Sequence, residues 1–171
     1  MARTVKTTPA DLRQRAGTAR EHLQVALERL AYVDGKPDPS AEAQVAASNA
    51  ISAGIAATDA ICGAVLGERA NNQDHRAAVE LLATVKPDGS TLAGRLRRLL
   101  KDKSLLQYGG YCTSAVARTA VRDAQSLVAA MGSFGIKGLS REQISRVRER
   151  AALGVQCSSA PGRTSGTTTF S

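Results

Sequence analysis

The sequence predicts an all-α fold: an antiparallel four- or five-helix bundle with a C-terminal helix and a disordered tail. Three observations predict it. Apolar residues recur at helical spacing in every long segment of the 171-residue chain. Alanine supplies 30 residues against five aromatics and no tryptophan, and small side chains let helix backbones approach closely. Caps and breakers (Thr8 with Pro9, Ser40, Gly67, Ser140) stand where the periodic stretches begin and end.

Residues 1–8 read as a flexible N-terminus and residues 9–133 as the bundle. The first helix opens at Pro9, whose fixed φ suits a first turn, with Thr8 as its cap. Its apolar stripe runs Leu12, Ala16, Ala19, Leu23, Ala26, Leu27 and Leu30, and "DGKPDPS" ends it. Ser40 caps a second helix, about Ala41 to Leu66, which Gly67 terminates. That helix is apolar nearly all round, so it belongs at the centre. Ser48, Asn49, Ser52, Thr58 and Asp59 interrupt it, which marks a buried core helix and not a membrane span.

Asp74 caps a short third helix through "HRAAVELLA", and "KPDGS" is a loop. The basic segment "TLAGRLRRLLKDKSLLQ" turns Leu92, Leu96, Leu99 and Leu100 inward. The next helix, about Thr113 to Met131, carries a stripe of Ala117, Ala120, Val121, Ala124, Leu127, Val128 and Met131. Residues 134–155 form a glycine-rich linker and a basic helix, with Ser140 and Gln143 as its capping box. Residues 156–171 are small, polar and aperiodic, the pattern of a disordered tail. No sheet is expected.

A formal charge of +8 points to an anionic partner or to helix faces solvated by arginine. Scarce aromatics exclude single-strand binding by base stacking, which needs exposed rings. Cys62, Cys112 and Cys157 are odd in number and widely spaced, so a disulfide framework is excluded and a reducing cytoplasm expected. The start, "MARTVKTTPADLRQR", lacks the apolar core of a secretory signal. No Cys/His cluster has zinc spacing, and neither metal nor cofactor is expected.

Four sets of residues stand out. Arg69 and His75 have five residues between them, a spacing at which the two side chains are able to cut RNA. One orients or protonates while the other stabilises a pentacoordinate phosphate. The structural alternative is an arginine favourable to a helix C-terminus and a histidine opening the next helix. His22 lies between apolar positions and reads as structural. Asp59 needs a partner inside its apolar helix. It falls on one stripe with Ser48 and Ser52, so a polar network with Ser52 and Tyr108, or with an arginine of the basic segment, would satisfy it. Finally, Arg95, Arg97, Arg98 and Lys101 face mostly outward, either as a phosphate-binding surface or as a solvated face.

The order of parts carries a resemblance. "AREHLQVALERL" precedes the small-residue helix "ASNAISAGIAATDAICGAVLGE", followed by "DHRAAVELL", a leucine-rich segment and "SLLQYGGYCTSAVARTAVRDAQSLVAAM". Over residues 15–132 this resembles the HEPN domains of prokaryotes, four-helix bundles of toxin–antitoxin pairs, defence systems and nucleotidyltransferase partners. The resemblance implies a homodimer, with RNA or a cognate nucleotidyltransferase or antitoxin protein as partner. Its ribonuclease members carry an arginine, four to six residues and a histidine at the last core helix. Arg69 and His75 match the spacing but lie between the second and third helices, and position 70 is Ala where a polar residue is usual. The segment Thr113 to Met131 offers Arg118 and Arg122 but no histidine. The expectation is therefore a cytoplasmic HEPN-like binding or partner module without robust catalysis. A metal-independent ribonuclease and a non-catalytic nucleic-acid binder are the alternatives.

Overall fold

The structure is a computed structural model that describes residues 4–71, 75–101, 103 and 112–136. The expected linker beyond Ile136, the basic C-terminal helix, the tail, Asp74 and Tyr108 lie outside the described residues. Helix α1 spans Pro9–Ala31. It starts where the sequence demands: the Thr8 hydroxyl accepts from the Asp11 backbone N–H, and the Asp11 carboxylate accepts from that of Thr8. The Thr8 hydroxyl also donates to the Asp11 carboxylate, and this bond, followed by that from the Thr8 backbone N–H, holds the Asp11 carboxyl below its ordinary range. Ala16, Ala19 and Ala26 are buried, with Leu12, Leu23 and Leu30 packed beside them. Leu27, expected on the stripe, is 39% exposed instead. Its neighbour Ala26 takes the inward position, and adjacent helical residues stand about 100° apart.

Helix α2, Ala41–Leu66, is the core of the described bundle, packed on α1 along one side and on helix α5, Ser114–Ser133, along another. The Ser40 hydroxyl accepts from Ala43 N, and Gly67 closes the helix at φ 73°, a left-handed conformation that favours glycine. Its length and apolar composition suffice to cross a membrane, and here most of that surface is covered by protein. Hydroxyls within it are satisfied locally: Thr58 donates to the Gly54 carbonyl and Ser52 to that of Ser48.

After Gly67 the chain departs from the sheet-free expectation. Strand β1, Thr4–Lys6, pairs antiparallel with strand β2, Glu68–Ala70, with Val5 opposite Arg69. The Thr7 N–H extends the pairing to the Gly67 carbonyl. Strands of three residues are too short to show an alternating pattern, and the partners lie more than sixty residues apart in sequence.

Helix α3, His75–Ala83, buries Ala77, Ala78, Val79 and Leu82. Helix α4, Gly89–Lys101, packs on α3 and buries Leu92, Leu96 and Leu99. Helix α5, Ser114–Ser133, begins at Thr113, whose hydroxyl accepts from Val116 N. Asp38 in the α1–α2 loop reinforces that start by accepting from Ser114 N at 2.8 Å. The small-residue stripe of α5 is buried against the chain's own core, with Ala117, Ala124 and Leu127 fully covered.

Candidate functional site

Helical spacing brings two polar stripes face to face. On α1, Arg15, Thr18 and His22 are three and four residues apart, so they share one face. On α2, Ser52 and Asp59 are seven apart, two turns along one face. These stripes line a cleft of about 310 Å³, closed by Ala70 of β2, Asn71, His75 of α3 and Lys103. Both histidines of the chain therefore meet in one concavity.

Among the described residues, Asp59 is the one carboxylate that lines the cleft, and it is only 6% exposed. Arg15 stands 3.6 Å away. Burial pushes the Asp59 carboxyl above its ordinary range, and the charges of Arg15 and Arg69 oppose that shift without cancelling it. The expected arginine partner from the basic segment is replaced by one from α1. Periodicity identifies which face of α2 is polar but not which helix packs against it. One turn further along, burial and the Asp59 charge push the Cys62 thiol up to about 12, so it remains an inert, protonated group.

His22 has both a structural tie and a place in the cleft. Asn49 donates its amide nitrogen to the Val45 carbonyl, which leaves its oxygen to accept from His22 Nδ1 at 2.9 Å. That arrangement puts the proton of a neutral ring on Nδ1 and leaves Nε2 as an acceptor. His75 opens α3, and its Nε2 meets the Nζ of Lys103. An ammonium donates only to an unprotonated nitrogen, so this contact requires the Nε2 lone pair. Reading the sequence for catalytic pairs misses His22 and Lys103. The available signal was the spacing of His22 from Arg15, seven residues on the same helix.

Arg69 sits on β2, half-buried, and donates to the Ala70 carbonyl. It borders the cleft through its neighbour Ala70 and through its charge on Asp59. The structure therefore brings Arg69 and His75 to the same end of α2, with His75 in the cleft and Arg69 beside it.

The basic segment divides in two. Arg98 grips Asp123 of α5 with Nε at 2.9 Å and Nη2 at 2.7 Å, and Arg95 adds a third contact at 3.4 Å. Asp123 is 4% exposed, so these bonds satisfy a buried carboxylate. Its signal in the sequence was an acid three residues after Ala120 and four before Leu127, on the apolar face. Arg97 and Lys101 point the other way, into a groove between α3 and α4. Among the described residues, no three of His, Cys, Asp and Glu cluster closely enough to hold a metal ion.

No family model matches the chain, and neither a curated protein nor a solved structure is detectably similar to it. Its chemistry is read from its own geometry.

Proposed function

We propose that the chain is a HEPN-like helical bundle acting as a binding module, whose cleft receives a phosphate-bearing partner without robust catalysis. The observation that carries this reading is the convergence of Arg15, His22, His75 and Lys103 around the carboxylate of Asp59. The guanidinium of Arg15 and the ammonium of Lys103 donate to phosphate oxygens, and Asp59 is already engaged by Arg15. The small-residue helix α2 packed between α1 and α5 supports the HEPN likeness. RNA of a toxin–antitoxin or defence system is the partner this reading favours, with a cognate nucleotidyltransferase or antitoxin protein as a further partner.

Fluorescence anisotropy with labelled RNA tests the binding. Reversing Lys103 to Glu is expected to weaken it by about tenfold, because a donor to phosphate becomes a repelling charge. Unchanged affinity in that variant removes the cleft from the reading.

The second reading is a metal-independent ribonuclease that uses Arg69 and His75. Its support is that His75 lines the cleft while Arg69 stands on β2 next to the lining residue Ala70. Incubation with structured and unstructured RNA in the presence of chelator decides between the two. No cleavage is expected. Cleavage lost in both Arg69→Ala and His75→Ala, with both variants folded, promotes the ribonuclease.

A further inference from the structure

The groove between α3 and α4 has a volume of about 520 Å³ and a chemistry distinct from the cleft. Arg97 and Lys101 are four residues apart on α4, so both stand on one face. Arg76 faces them from α3, tied to the one lining acid, Glu80, at 3.1 Å. The floor is aliphatic, formed by Val79 and Leu100. His75 lines both this groove and the cleft, so the two concavities meet at one side chain.

We propose that the groove is a path for a single-stranded nucleic-acid backbone, running from Arg97 and Lys101 past His75 into the cleft. This rests on the reading of the cleft as a phosphate site. Three observations carry it. Among the described residues, cations exceed acids in both concavities: Arg76, Arg97 and Lys101 against Glu80, then Arg15 and Lys103 against Asp59. Volumes of this size hold ligands of drug or nucleotide dimensions, so a strand enters and a duplex does not. Among the described residues the groove's lining holds aliphatic side chains and no aromatic, so ribose and base edges rest on these without stacking. Affinity then comes from phosphates, with steep salt dependence and little base preference.

The test uses the full chain and fluorescein-labelled oligouridines: a dinucleotide, which fits the cleft, and a strand of about eight nucleotides, which also fills the groove. A deoxy strand of equal length, a blunt RNA duplex and polyglutamate are the comparators. The longer strand is expected to bind more tightly than the dinucleotide and than the duplex. The double variant Arg97→Ser, Lys101→Ser is expected to weaken the longer strand about tenfold and to lower its log–log salt slope by about 1.4, leaving the dinucleotide unchanged. Lys103→Ser is expected to weaken both ligands. Circular dichroism checks that each variant is folded. Tighter binding of the ribo strand identifies the ligand as RNA and of the deoxy strand as DNA, and both uphold the path. Wild-type affinity of the groove variant for the longer strand overturns the path while leaving the cleft reading intact, as does equal competition by polyglutamate. Dinucleotide binding that ignores Lys103→Ser overturns the cleft reading and the joined path with it. Absence of binding to any strand overturns both.

Discussion

Asp59 holds a carboxyl group inside an alanine-rich helix, and burial acts on it in a definite direction. In the unfolded chain it titrates near the ordinary value of 3.8, and in the folded chain above it. The folded state therefore binds its proton more tightly, so this group favours folding most at pH below 3.8 and loses that advantage as pH rises through the raised value. Asp59→Asn has no such titration. Its stability relative to the native chain is expected to improve from about pH 3.5 to about pH 6, as read from denaturant midpoints. A constant difference across that range would show that Arg15 and Arg69 hold the carboxylate fully. That Asp59 needs a partner was legible in the sequence, because a charge amid small apolar residues has few alternatives. That the partner is Arg15 was not, since spacing within one helix says nothing about the neighbour.

Among the elements, the helix ends were the most legible part of the fold. Thr8, Ser40, Gly67 and Thr113 act within four residues of themselves, so their chemistry is written locally. The crossings of helices were not legible, and Gly54 illustrates why. A methyl group there would lie 2.6 Å from Leu99 Cδ1 and 3.2 Å from Leu127 Cδ1, so α2 accepts α4 and α5 only through a missing side chain. In isolation Gly54→Ala favours the helix by up to about 1 kcal/mol, whereas overpacking a filled core costs about 1–3 kcal/mol. A net loss of about 1 kcal/mol is expected from thermal or denaturant unfolding. The Asp123 clasp works between α4 and α5 in a similar way. Asp123→Ala leaves two arginines without their buried acceptor and is expected to cost about 2 kcal/mol by the same measurement. A loss near zero would mean that water replaces the carboxylate at no cost.

For the whole molecule, helical periodicity and alanine content made the mostly helical character legible, and the small sheet escaped because its strands are short and distant. The same composition misdirects on assembly. By composition the stripe from Ala117 to Met131 would suit close packing against a second chain, yet it is buried within one. Small side chains announce close packing without naming the surface they pack on. Pairing into a homodimer, which belongs to the HEPN likeness, must then use another face. Light scattering at micromolar concentration is expected to give twice the chain mass. A single-chain mass over a wide concentration range removes pairing from the proposal.

The pairing of Val5 with Arg69 has a kinetic consequence. Those few hydrogen bonds close a loop that contains all of α1 and α2. A short strand pair, exposed along β1, has little buried surface to hold it, so the clasp is expected to open before α2, which is buried between its neighbours. Because β2 runs directly into Ala70 and Asn71, fraying there loosens the rim of the cleft before it disturbs the core. Amide hydrogen exchange is expected to be faster at Thr4–Lys6 and Glu68–Ala70 than in α2. A tag or truncation at the N-terminus would then change how readily the cleft admits a ligand, with little effect on global stability.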